Sequence, residues 1–358
     1  MDNINQLRLE EYNSLSEKYR QLEEIVVKLL GDGLKNGGIR TLQIEHRIKG
    51  AESAIGKLSR KPDKYHNLHD LNDMLGIRII CYFTDQVDQS AALIEEILDV
   101  DTALSSDKRE LMDPTTFGYL SLHYICSLPK NGTYPEELTD LKFEIQIRTI
   151  LQHTWAEIEH DLGYKTEFSI PRNVRREFSR VAGLLEIADE SFLRIRNSIH
   201  QYETEVREKI AVDQADDMPL DLVSLKAYLE LSQSMNRLLA DIAAINNSKI
   251  IESDPESYLQ DLAFFNIHTL GELRTFVREN RDDALYFAKQ ALTGIALDEL
   301  SSIVGLYYIC RAKLVRGDYN LRQLIVFFML GDSTPKRAEQ HANHILRLRE
   351  KEIENANK

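Results

Sequence analysis

The chain has 358 residues, 43% of them hydrophobic, and a formal net charge of −14, which suits two domains with sizeable cores and disfavours non-specific nucleic-acid binding. No run approaches the ~18–20 apolar residues of a membrane span, and the N-terminus lacks the basic and apolar regions of a signal peptide. Three widely spaced cysteines, Cys81, Cys126 and Cys310, fit a reducing cytosol better than a disulfide framework or a zinc site, so a cytoplasmic protein with no membrane partner is expected.

Residues 3–30 carry Leu7, Tyr12, Leu15, Tyr19, Leu22 and Val26 at helical spacing, and GDGLKNGG at 31–38 is expected to end that helix. In TLQIEHRIK the period changes to two. Leu42, Ile44 and Ile48 fall on one side, and Gln43, Glu45, Arg47 and Lys49 on the other, which predicts a half-buried strand ending at Gly50 and then a short helix over 52–60. A helix over 44–58 also fits, through Ile44, Ile48, Ala51, Ile55 and Leu58. LGIRIICYF at 75–83 reads as a strand buried on both faces, interrupted by Arg78. SAALIEEILDV suits a surface helix, 101–118 a polar loop, YLSLHYICSL at 119–128 a further strand, and PKNGTYPEEL a turn.

LKFEIQIR at 141–148 alternates cleanly, with Leu141, Phe143, Ile145 and Ile147 inward and Lys142, Glu144, Gln146 and Arg148 opposite. TILQHTWAEIEHDLGY then runs as a helix. The first ~165 residues therefore mix strands and helices around one sheet. Everything after Pro171 reads helical, with breaks near Asn246, Asn266, Asn280, Gly317 and Gly331, and the acidic stretch 211–221 is the best linker candidate.

The polar face of 141–148 has the ordinary meaning of a solvated sheet face when taken alone. Its neighbours change that. Asp73 directly precedes a buried strand and Arg78 lies inside it, where a charge needs a partner. A second cluster, Arg47, Lys49, Ser53 and Lys57, collects cations beside an expected helix N-terminus, whose free N–H groups favour an anion. The charges are uneven in the same sense: residues 31–60 and PRNVRREFSR at 171–180 are net basic, while 85–114 and 201–262 are acidic. A local anion site in an acidic chain points to a small phosphorylated ligand rather than a long polyanion. Carboxylates beside a polyphosphate would repel it unless a divalent cation bridges them. Tyr119 is the aromatic candidate for holding a base.

Five motifs occur in order: R-x-K-x3-S-x3-K at 47–57, DMLGIR at 73–78, GYLSLH at 118–123, EIQIRT at 144–149 and WAEIEHDLGYK at 155–165. Together they resemble the synthetase domain of the RelA/SpoT family of alarmone synthetases, over roughly residues 40–165. The resemblance implies an α+β fold, a mixed sheet flanked by helices and similar to nucleotidyltransferases, followed here by an all-α C-terminal region. It implies Mg²⁺-dependent transfer of the β,γ-pyrophosphate of ATP to the 3′-hydroxyl of GDP or GTP. Carried over by position, Arg47 and Arg78 would sandwich the adenine, and Lys49, Ser53 and Lys57 would hold the ATP phosphates. Asp73 would bind the metal, Glu144 would share it or act as base, and Tyr119 would stack on the acceptor base. Gln146 and Arg148 share the face of Glu144, available to ribose or phosphates. His123 and Lys165 match motif positions without a derived role.

One segment departs from the pattern. Guanine-nucleotide synthetases of this family carry a basic Asn-Gly-Tyr-Arg-like approach to the SLH strand, whereas this chain has DPTTFGYL, with Leu120 in place of Arg. That leaves three readings of the acceptor side: a guanine nucleotide; the 3′ end of tRNA or an adenine nucleotide, as in toxic members; or a silent nucleotide sensor. Retention of Asp73 and Glu144 speaks against the last. The chain is expected to lack the hydrolase site that His69-Asp70 could suggest, and His153, Glu157 and His160 read as a polar helix stripe, not a zinc motif. The expected organisation is a synthetase domain over 1–205, an acidic linker over 206–221 and a helical domain over 222–358, with a homo-oligomer expected from the resemblance alone.

Overall fold

The computed structural model describes residues 2–107, 121–164, 171–331 and 333–356. The chain divides into two compact units, 1–197 and 198–358.

In the first unit α1 (Asp2–Asn36) is followed by β1 (Thr41–Ile48), α2 (Ala51–Arg60), β2 (Leu75–Cys81) and α3 (Thr84–Ile97). Short strands β3 (Asp99–Val100) and β4 (Ser106–Asp107) precede β5 (Leu122–Ser127), the one-turn α4 (Glu136–Thr139), β6 (Phe143–Thr149) and α5 (Ile150–Tyr164). Helix α6 spans Arg172–Ala211. The sheet order is β1-β2-β6-β5-β3, with β4 also on β5. Among the described strands of this sheet, only β2 and β6 pair in parallel. This is the mixed sheet flanked by helices that the motifs imply.

The two faces of the sheet differ in chemistry. Leu75, Ile77 and Ile79 of β2 and Phe143, Ile145 and Ile147 of β6 are fully buried, packed with Leu22, Val26 and Leu30 of α1 and Val87 and Ile94 of α3. Burial of such side chains contributes about 1.5–3 kcal/mol each. The opposite face carries the polar residues of the same strands.

Helix α1 ends within GDGLKNGG, as local propensity predicts, but only at its last two glycines, Gly37 and Gly38. It continues through Gly31 and Gly33 to Asn36, because Leu30 and Leu34 are buried there and Gly33 fits against Leu93. Two helical glycines cost roughly 1 kcal/mol each, which this packing offsets. The helix ends where Gly38 takes φ 65°. The Ile39 N–H then closes on the Leu34 carbonyl at 2.9 Å, a Schellman closure that glycine permits. Strand β1 departs from perfect alternation too. Its pairing skips Leu42, a bulge that leaves this leucine 46% exposed rather than inward.

The second unit begins within the span of α6. Helices α7 (Leu222–Leu231), α8 (Gln233–Ala243), α9 (Tyr258–Phe264) and α10 (Leu270–Leu292) are followed by α11 (Val304–Arg316), α12 (Leu321–Leu330) and α13 (Pro335–Ala356). Asp221, Thr269 and Asn320 cap α7, α10 and α12 with side-chain acceptors. Arg349 donates to the carbonyls of Leu314, Val315 and Tyr319, satisfying the end of α11. Asn280, a predicted break, instead lies buried inside α10, where its side-chain amide donates to the Phe276 carbonyl at 2.7 Å. A two-stranded parallel pair, β7 (Lys249–Ile251) with β8 (Glu299–Ser301), has no periodicity that would announce it. The 206–221 segment, read above as a linker, holds the end of α6 to Ala211, and Val206, Ala215 and Met218 are buried in this unit's core.

Candidate active site

Strand register assembles the site. Glu45 of β1 pairs with Arg78 of β2, Arg78 with Gln146 of β6, and Gln146 with His123 of β5. In the next row on the same face, Arg47 pairs with Gly76 and Gly76 with Glu144. Paired residues project to one side of a sheet. Residues scattered over a hundred positions of sequence thus line one surface. A cleft of about 380 Å³ lies over it, bordered by Arg47, Lys49, Ser53, Asp73, Arg78 and Glu144, with Gly76 and Gln146 in its floor.

Asp73 sits just before β2. Its Oδ2 accepts from Lys49 Nζ and from Lys57 Nζ, both at 2.7 Å. Burial pushes this carboxyl up, but the hydrogen bonds and charges of the two lysines outweigh it and hold the group below the usual range. Its Oδ1 is buried and has no donor among the described residues. Lys49 is held in place by its own backbone: its N–H donates to the Met74 carbonyl at 2.8 Å, and its carbonyl accepts from the Tyr12 hydroxyl of α1 at 2.9 Å.

Helix α2 begins at Ala51 after Gly50, which has no side chain to cap it. Gly50 therefore offers the first-turn N–H groups no capping side chain, and Gly50 and Ser53 both lie beside the cleft. Lys57 is one turn after Ser53, on the same side of the helix.

Glu144 is gripped at both oxygens. Oε1 is 3.0 Å from His123 Nδ1, and Oε2 accepts from Gln146 Nε2 at 3.0 Å. The chain of contacts continues from His123 Nε2 to Ser121 Oγ at 2.6 Å, and from Gln146 Oε1 to the Arg148 guanidinium. Burial pushes Glu144 up, and the Asp73 charge adds to this. His123 and Gln146 prevail and hold the carboxyl below its usual range, so it is ionised at neutral pH.

Arg78 answers the question of its partner. It donates to Glu157 Oε1 of α5 at 2.8 Å and lies 3.5 Å from Glu45 Oε2. Residue pattern alone assigns neither Glu45 nor Glu157 a role. The alternation of β1 placed Glu45 on the right face, but the stripe containing Glu157 carried no sign that it meets β2. Arg148 and His123 are not among the described residues that border this cleft: Arg148 is 1% exposed and bonds Gln146, and His123 bonds Glu144. Tyr119, Leu120 and Lys165 lie outside the described residues.

The arrangement brings a cation-lined cleft, an open helix N-terminus and two carboxylates together on one sheet face. Among the described residues no three His, Cys, Asp or Glu side chains cluster as a metal-binding group. The buried, donor-less Asp73 Oδ1 beside Glu144 does fit a hard divalent cation that completes its shell with phosphate oxygens and water.

Residues 46–169 match the family model described as a region found in RelA / SpoT proteins. The GTP pyrophosphokinase YwaC of Bacillus subtilis is 33% identical over 163 residues, covering 44% of this chain and 75% of that protein. This chain belongs to the RelA/SpoT family. A second family relative, the GTP pyrophosphokinase YjbM of Bacillus subtilis, is 29% identical over 197 residues, 51% of this chain and 87% of that protein. The crystal structure of the small alarmone synthetase 1 from Bacillus subtilis is similar at 27% identity and a TM-score of 0.45, covering 54% of this chain and 99% of that one. These two relatives cover about half of this chain or less, and the family model covers residues 46–169. No helix among the described residues is long and apolar enough to cross a membrane.

Proposed function

We propose that the chain is a GTP pyrophosphokinase that moves the β,γ-pyrophosphate of ATP onto the 3′-hydroxyl of GDP or GTP, making alarmones. The observation that carries this is the row Arg47–Gly76–Glu144 beside the Lys49–Asp73–Lys57 cluster, in a chain whose relatives are named GTP pyrophosphokinases. Lys49, Lys57, Ser53 and the first turn of α2 take the triphosphate. Arg47 and Arg78 hold the adenine, and Arg78 is braced for this by Glu45 and Glu157. Glu144 accepts the proton of the 3′-hydroxyl. The freed oxygen forms a bond to the β-phosphorus, and the bond between that phosphorus and the α,β-bridging oxygen breaks, releasing AMP. His123 and Gln146 fix the direction in which Glu144 points, and pre-alignment of this kind supplies a large part of a phosphoryl-transfer rate. Mg²⁺, held by Asp73 with Glu144, would neutralise polyphosphate charge there.

Three free, buried cysteines support a reducing, cytosolic setting. A row of exposed apolar residues on α6, Val181, Leu184, Ile187 and Ile195, supports a homo-oligomer in which a partner covers it.

The acceptor is tested with γ-labelled ATP and GDP, GTP, ATP or deacylated tRNA. Label on GDP or GTP is expected. Label on tRNA alone would instead support the toxic reading that DPTTFGYL raises, and ATP binding without transfer would support a sensor.

Gly76 tests the geometry directly. Its backbone is ordinary extended strand, and an added Cβ would meet no atom of the described residues within 4 Å. Neither folding nor packing requires glycine at this point, although a strand interior disfavours it. The open space above it is the cleft itself. Gly76→Val is therefore expected to raise KM for ATP roughly tenfold or more by filling the floor of the site, with an unchanged or higher Tm, since valine suits strands. Unaltered ATP kinetics would show that the nucleotide does not lie over β2.

A further inference from the structure

The second unit holds a cavity of about 330 Å³ where α9, α11, α12 and α13 converge, within the size range of small-ligand sites. Tyr258, Phe327 and Phe328 contribute aromatic wall. Two opposite charges face this space from different helices. Asp261 of α9 makes no hydrogen bond or ion pair among the described residues, and burial pushes its carboxyl up to about 6. Arg311 of α11 pairs with no carboxylate among the described residues. Its guanidinium donates instead to the Tyr307 hydroxyl at 2.8 Å and to His344 Nε2 at 2.7 Å. Partial desolvation, then the charges of Arg311 and Arg347, hold the His344 imidazole below its usual range, which suits its role as acceptor for Arg311.

Neither group has an oppositely charged partner among the described residues, and partial burial of the Asp261 carboxyl without donors has a cost. Side chains that served packing alone would be apolar and would fill the space. Here the space is open, its wall is aromatic, and the unmatched charges stand in it without pairing to each other. Each is an unmet demand: Asp261 for N–H donors, Arg311 for an anion.

We propose that this cavity is a ligand site for a small aromatic molecule carrying an N–H donor edge and an anionic group. The ring lies against Phe327, Phe328 and Tyr258, the donors meet Asp261, and the anionic group meets Arg311. Purine nucleoside monophosphates and aromatic amino acids share this chemistry. The site is built entirely from residues of the second unit and is separate from the nucleotide cleft, so it stands whether or not the transfer reaction does.

Isothermal titration of the full chain with GMP, AMP and L-tryptophan tests it and separates the two sources. Saturable binding of at least one probe is expected, weakened roughly tenfold or more in Asp261→Asn and in Arg311→Gln, as loss of a charged hydrogen bond predicts. Binding at this cavity should survive Lys49→Ala, which disables the nucleotide cleft. Asp261→Asn removes a desolvated charge and should melt no lower than the parent chain. If it melts lower, Arg311→Gln alone decides. No binding of any probe at millimolar concentration, or binding that is indifferent to the cavity variants and lost in Lys49→Ala, overturns the proposal.

Discussion

Glu144→Gln is expected to lower kcat by roughly 10²–10⁴-fold, the usual worth of a positioned general base, while leaving the Kd for ATP within about twofold. The substitution is isosteric, and the amide oxygen can still accept from one of the two neighbours that grip the carboxylate, His123 and Gln146. What it loses is the capacity to take a proton. Single-turnover transfer from labelled ATP measures the chemical step apart from binding. A variant with more than a tenth of the parental rate would remove Glu144 from the role of base. The same assignment has a pH consequence. Burial works to raise this carboxyl, but His123 and Gln146 hold it below its ordinary 4.5, so it is already the competent, ionised base at neutral pH. No acidic limb from this group is expected between about pH 6 and 8.

Asp73→Asn should separate metal use from nucleotide affinity. Asp73 now does two things: its Oδ2 neutralises Lys49 and Lys57, and its buried Oδ1 meets no donor among the described residues. Replacing the carboxylate by an amide frees two ammonium groups and removes an anionic oxygen from the cleft. Transfer is expected to fall on the order of 10³-fold, the upper range for loss of a charge-stabilising group. Binding of ATP in the presence of a chelator should tighten rather than weaken, because the lysines no longer share their charge with a carboxylate. Titrating ATP with and without Mg²⁺ on both proteins reads this out. If the variant keeps parental activity, or if its affinity for metal-free ATP falls, Asp73 does not have the place in the site assigned to it.

Much of this site was readable as pattern. The alternation of 141–148 put Glu144 and Gln146 on one face, and the run 75–83 marked a central strand with one anomalous charge. Both are local properties, because a strand's period of two is written into consecutive side chains. Arg148 shows where such reading ends. It shares the parity of Glu144, yet it is 1% exposed, on a sheet whose strands β2 and β6 have α5 packed against them. Parity names a face and says nothing of what covers it.

The amino-acid sequence by itself determined the carboxylates, the cation cluster at 47–57, the faces of β2 and β6 and the family. Each depends on residue identity and short spacing, which survive without knowledge of pairing. Only the tertiary structure decided that Gly76 lies between Arg47 and Glu144, that Glu45 and Glu157 brace Arg78, and that α1 runs through two glycines. It also brought Asp261 and Arg311 to one cavity from separate helices. These outcomes rest on contacts between residues tens of positions apart, whose energy comes from burial and register and outweighs the local preferences of any single segment.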